Sequence, residues 1–157
     1  MDNVFLEQNY SNNQFFNEMK NVEKVFFDGQ IYDSYSEILG IFESAASSLI
    51  VIDNNVDESF FDMICRLEIP VILITSKDCM ISKQQIQEYN RHYNNLRVIY
   101  DESFGDNFYI VDNRYIYRCG TSINKELGYG VFCLVLLRDP DVCMSLIDVV
   151  KSIIFRK

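Results

Sequence analysis

Two short stretches of this chain concentrate the residue types that bind anions or open ester bonds. The first runs Ser103-Phe104-Gly105-Asp106-Asn107-Phe108-Tyr109-Ile110-Val111-Asp112, and the second is Gly120-Thr121-Ser122-Ile123-Asn124-Lys125. A Gly-Thr-Ser turn can offer backbone N–H groups to a phosphate, with Lys125 adding positive charge beside it. Ser122, Asn124 and Lys125 are therefore the candidate ligand-binding residues; the competing reading is an ordinary strand-to-loop turn. Ser103 and Ser122 carry the hydroxyls that a nucleophilic mechanism would need. Asp53, Asp57, Glu58, Asp106 and Asp112 fall at predicted strand ends or in adjoining loops, the side on which such sheets bind ligands. They read as a solvated rim rather than a carboxylate metal site. His92 is the only histidine. It is remote in sequence from both stretches, and one imidazole without partners makes no metal site. No metal and no cofactor is expected.

Composition bounds the setting. The 157 residues suffice for one domain with a real core, 48% of them are apolar, and 12 Phe and 10 Tyr supply bulky packing groups. The net charge of −9, with 14 dispersed basic residues, argues against strong nucleic-acid binding and suits a basic protein partner or simple solubility. No apolar run approaches the roughly 20 residues of a membrane span. The start lacks the basic stretch and apolar core of a secretion signal. Five cysteines at 65, 79, 119, 133 and 143, with no Cys-x-x-Cys pair, read as reduced thiols. A cytoplasmic protein without a membrane segment is expected.

The elements that must position these residues follow from periodicity. Residues 1–13 are polar and Asn-rich. Phe15, Met19, Val22 and Phe26 fall at helical spacing, which predicts a short amphipathic helix over residues 14–27. Ser34 and Glu37 form a capping-box pattern opening a helix whose apolar face holds Tyr35, Ile38, Leu39 and Phe42. Strands are predicted over residues 49–53, 70–75 and 96–100, separated by helices over 57–67 and 82–93; Ser82 and Gln85 form a second capping box. Strands alternating with helices imply right-handed crossovers and a parallel sheet. Residues 108–112 and 115–119 then flank Asn113-Arg114 as a hairpin, and a sixth strand spans 131–137. Asp139 followed by Pro140 starts a last helix. The fold class is thus α/β: a three-layer sandwich with a mixed, mostly parallel sheet of about six strands and helices on both faces. Residues 1–27 read as a lead-in with its helix, and residues 28–157 as the domain.

The segment from Gly105 to Asp112, followed by the Gly-Thr-Ser turn and Asn124, resembles the signature of phospholipase-D-like phosphodiesterases. That signature is His-x-Lys (or Arg), four residues, Asp, then a Gly/Ser-rich turn ending in Asn. The His position holds Gly105 and the Lys/Arg position holds Asn107. The order of elements is similar to one half of such an enzyme, closest to a C-terminal domain of bacterial and prophage proteins of the RhuM type. The residues that carry this are Phe26-Phe27-Asp28, Ile52-Asp53-Asn54, Asp57-Glu58-Ser59, Thr75-Ser76-Lys77, Ser82-Lys83, Gly120-Thr121-Ser122 and Leu127-Gly128, across residues 26–154. The resemblance implies that one His attacks phosphorus, a His from a paired half protonates the leaving group, Lys or Arg holds the phosphate, and Asp orients the His.

With Gly105 and Asn107 in place of the reactive pair, no catalytic residue is expected, and Asp112 is left as a structural residue or relic. The expectation is a catalytically inactive phospholipase-D-like domain working as a protein-interaction or regulatory module, in a phage or mobile-element setting and directed at a host or defence protein. Active relatives need two halves, so a homodimer is expected through the degenerate motifs. The alternatives are a diverged nuclease or phosphodiesterase using Ser103, Ser122 or a metal-held water, and a small phosphate-ligand sensor built on residues 120–125.

Overall fold

A computed structural model describes residues 23–156. The chain order is β1 (Glu23–Phe26), α1 (Ile31–Glu43), β2 (Leu49–Ile52), α2 (Ser59–Ile64), β3 (Val71–Thr75), α3 (Lys83–His92), β4 (Leu96–Tyr100), β5 (Asn107–Val111), β6 (Tyr115–Cys119), β7 (Phe132–Leu136) and α4 (Pro140–Ile154). All seven strands join one sheet in the order β1-β7-β6-β5-β2-β3-β4.

The three-layer α/β sandwich holds, but the sheet is mostly antiparallel. Only the β2–β3 and β3–β4 pairings are parallel, while β1–β7, β2–β5, β5–β6 and β6–β7 are antiparallel. The reason lies in connection length. A parallel return needs a crossover of a dozen or more residues. After β4 the chain has residues 101–106 before β5 begins, so it can only turn back.

Alternation along the strands fills two cores. In β2, Leu49 and Val51 face α1, α2 and α3, where Ile38, Phe42, Phe60, Met63 and Ile64 pack on them. Ile50 and Ile52 face the other way and meet Val150, Ile153 and Ile154 of α4. Every residue of β2 is buried, as a central strand covered on both faces must be.

Two sequence expectations are corrected at the start of the chain. The helix over residues 14–27 lies largely outside the described residues, and its described part is a strand. Glu23 to Phe26 pair antiparallel with β7, and Phe26 stacks on Phe132 with ring centroids 5.2 Å apart. Sheet pairing with a distant partner overrides the local helical spacing. The capping box of Ser34 and Glu37 does not form. The helix already begins at Ile31, with Gln30 accepting the Phe27 N–H at 2.7 Å. The Ser34 hydroxyl bonds back to Gln30 O at 2.6 Å, and Glu37 pairs with Lys24 of β1 at 2.7 Å.

Candidate functional site

A cleft of about 1010 Å³ opens at the C-terminal ends of β2 and β3. Its walls come from Asn54, Asn55, Asp57 and Glu58 after β2, from residues 78–80 after β3, from Phe104 to Asn107 entering β5, and from the β6–β7 loop. Gly105, Asn107, Ser122, Asn124 and Lys125 all line it. Asp112 does not. It sits at the far end of β5, five strand residues or about 17 Å beyond Asn107.

Each motif position has a definable state. A Cβ built on Gly105 meets nothing within 4 Å, so a side chain there would project into open space. The Asn107 amide donates to Cys119 O at 3.2 Å and to Thr121 O at 3.0 Å, tying the start of β5 to the turn after β6. Asp112 accepts the N–H groups of Ala46 (3.0 Å), Ser47 (2.7 Å) and Ser48 (3.2 Å) and the Ser47 hydroxyl (2.9 Å). Burial works to raise its pKa, but these donors outweigh it and hold the carboxyl below the usual aspartate value. In this chain Asp112 orients nothing at position 105. It pins the loop between α1 and β2, and its positive φ of 56° beside that of Asn113 at 54° makes the hairpin turn. The turn closes with Arg114 N–H donating to Val111 O at 3.0 Å, so its central pair is Asp112-Asn113, one residue earlier than the spacing predicts.

Sequence reasoning gave Asp53 too little weight. It is fully buried beneath the cleft. One oxygen accepts the Asn55 N–H at 2.9 Å and the other the Ile123 N–H at 2.7 Å, so one carboxylate holds both walls. Burial pushes its pKa up, against those two N–H groups and the Ser122 hydroxyl. Its signal in the sequence was its place immediately after the all-apolar run 49–52, where a polar residue at a central strand end needs partners.

Four of the six backbone N–H groups of the turn over residues 120–125 have named acceptors. Gly120 N–H donates to Cys133 O, Ile123 N–H to Asp53, Asn124 N–H to Ser122 O and Lys125 N–H to Asp57 Oδ2 at 2.8 Å. The Asn124 side chain donates to Asn55 O at 2.9 Å and accepts from Glu126 N–H at 2.9 Å. Asp57 also accepts the Ser59 hydroxyl at 2.5 Å, and Asp106 is matched by Arg118 at 2.9 Å. Among the described residues, no group of three His, Cys, Asp or Glu side chains is placed to hold a metal ion. His92 lies at the opposite end of the sheet, in a groove with Arg66 and Arg97. No helix among the described residues is long and apolar enough to cross a membrane.

No family model matches the chain, and no curated protein does. Solved structures do. NucT from Helicobacter pylori superimposes with a TM-score of 0.66 at 13% identity, over 84% of this chain and 94% of that one. Nuc from Salmonella typhimurium, a phospholipase D family member, gives 0.63 at 14% identity, over 83% and 92%. The phosphatidylserine synthase of Haemophilus influenzae gives 0.60 at 14% identity, covering 85% of this chain and 38% of that one. At such identities the likeness concerns the path of the backbone, and it shows that this chain has the phospholipase-D-like fold.

Proposed function

We propose that the chain is a catalytically inactive phospholipase-D-like domain acting as a protein-interaction or regulatory module. The observation that carries this reading is the state of positions 105 and 107 inside the cleft. Gly105 leaves open space where a nucleophile would project, and the Asn107 amide is bonded to two carbonyls. A residue without a side chain neither attacks phosphorus nor transfers a proton, and a neutral amide does not neutralise developing charge. The turn that would cradle a phosphate has directed most of its N–H groups inward, and carboxylates border the cleft. That environment disfavours a phosphodiester on electrostatic grounds. On the prophage resemblance we extend the proposal to a phage or mobile-element setting, with a host or defence protein as the target.

One observation favours a second reading, hydrolysis through Ser122. Its hydroxyl lies near enough to Asp53 to favour the ionised carboxylate, whose affinity for a proton is raised by burial. Against it, both Asp53 oxygens already accept backbone N–H groups.

Hydrolysis of bis(p-nitrophenyl) phosphate and of a single-stranded oligonucleotide, in EDTA and with added Mg²⁺, Mn²⁺, Zn²⁺ or Ca²⁺, tests both readings. The expected result is no turnover above buffer under any condition. Turnover that Ser122→Ala removes would overturn the inactive reading. Asp112→Ala is unsuitable as a control, because Asp112 holds a loop at the far end of the sheet.

A further inference from the structure

Resting on the reading of the domain as an interaction module, we propose that the cleft docks a cationic, amphipathic peptide segment of another protein. Its lining presents Asp57, Glu58, Asp78, Asp106 and Glu126, against Lys125 as the one cationic side chain lining it among the described residues. Asp106 has Arg118 as a partner, and Asp57 has Ser59 and the Lys125 N–H. Asp78 and Glu126 stand exposed at the mouth.

One observation independent of the carboxylates points to an occupant: the mouth is bordered by large apolar groups. Tyr129 is 59% exposed and Met80 74%. Gly29 N–H donating to Gly128 O at 2.9 Å, and Gly130 N–H donating to Asp28 Oδ1 at 2.7 Å, bring Phe27 and Val131 alongside. Those two are 60% and 66% exposed. Exposed apolar side chains grouped beside a charged groove mark a protein contact, and a Tyr face receives a cation. The carboxylates steer such a segment and the aromatic rim anchors it.

A second copy is the poorer occupant. An isologous contact across the cleft would set each group of carboxylates against its twin, which opposes the homodimer that the two-half relatives imply.

The test titrates the whole chain with a fluorescent peptide of alternating Lys and Leu, and with a Glu/Leu peptide of the same length, at low and at physiological salt. The Lys/Leu peptide binds saturably and more weakly as salt rises, and the Glu/Leu peptide does not bind. Asp78→Asn with Glu126→Gln weakens binding about tenfold. Tyr129→Ala weakens it about threefold. Glu43→Gln with Asp148→Asn removes the same charge from the end of α1 and from α4, and changes binding less than about twofold. Equal binding of the two peptides, or equal losses in the two double variants, would overturn the proposal. So would self-association that tightens in Asp78→Asn with Glu126→Gln, which assigns the cleft to a second copy. None of these outcomes alters the hydrolysis result, so docking and catalytic inactivity stand or fall separately.

Discussion

Asp53 and Asp112 perform the same task at opposite ends of the neighbouring strands β2 and β5, and the depth of burial and the number of donors separate their chemistry. Each carboxylate fastens two parts of the chain by accepting backbone N–H groups. Asp53 is fully buried beneath the cleft, and loss of water raises its pKa. Asp112 is partly exposed at the hairpin, and its donors lower its pKa. Gly105 and Asn107 lie at the end of the sheet that carries the cleft, and Asp112 lies at the other end, where its bonds hold the loop between α1 and β2. Folding thus accounts for Asp112 without reference to positions 105 and 107.

Substitutions at the two carboxylates break this comparison most severely. Asp53→Ala leaves the buried Ile123 N–H and the Asn55 N–H without acceptors, at about 3 kcal/mol, and lowers Tm by roughly 10 °C in a calorimetric scan. Asp112→Ala loses a more exposed set of bonds and places Ala at positive φ, for about 2 kcal/mol by denaturant titration. Asp112→Gly removes the same bonds while relieving φ, so it recovers part of that loss. If Asp112→Ala cost more than Asp53→Ala, the ranking by burial would be wrong.

The pH dependence has opposite signs at the two sites. The folded pKa of Asp112 lies below its unfolded value near 3.8, so its contribution is complete above that pH and is lost as pH falls through the folded pKa. The folded pKa of Asp53 lies above 3.8, so ionising it costs stability as pH rises from there through the folded pKa. Stability curves against pH for Asp112→Asn and Asp53→Asn should therefore differ from the parent's by slopes of opposite sign across those windows. Equal slopes would contradict the assignment.

Gly105→Ala sharpens the contrast from the neutral side. Its Cβ meets open space, and stability should change by less than about 0.5 kcal/mol in the same titration. Gly128→Ala is the counterpart, because its Cβ would lie 2.5 Å from Ile31 Cα at a φ of +96°, and it should destabilise by more than that.

Local chemistry made much of this fold legible. The Ser82 capping box forms both of its bonds, Gln85 N–H to Ser82 Oγ at 3.1 Å and Ser82 N–H to Gln85 Oε1 at 2.8 Å. Asp139 caps the last helix by accepting from Asp141 N–H at 3.0 Å, with Pro140 at its first position. The apolar runs at 49–52 and 71–75 are the buried strands they resemble. What escaped depends on partners far along the chain. β1 pairs with residues 132–135, more than a hundred positions away, and the helical spacing of Phe15, Met19, Val22 and Phe26 gave no hint of it. Asp112 meets Ala46, Ser47 and Ser48 across 64 to 66 positions. The antiparallel return at β5 was readable from the short connection after β4, but strand-helix alternation upstream outweighed it. Gly105, Asn107, Ser122, Asn124 and Lys125 converge on one cleft, while the part played by Asp53 emerges only from the geometry.

The most direct measurement is an amide chemical-shift titration of the isotopically labelled chain, first with inorganic phosphate and then with the Lys/Leu peptide at low salt. Phosphate to about 10 mM, roughly a hundredfold above the Kd of a useful phosphate site, should move no signal of Gly105, Asn107 or residues 120–125 beyond a chloride control. The peptide should shift signals around Asp57, Asp78, Glu126 and Tyr129. Saturable phosphate shifts at Gly105, Asn107 and the 120–125 turn, with none from the peptide, would contradict both expectations.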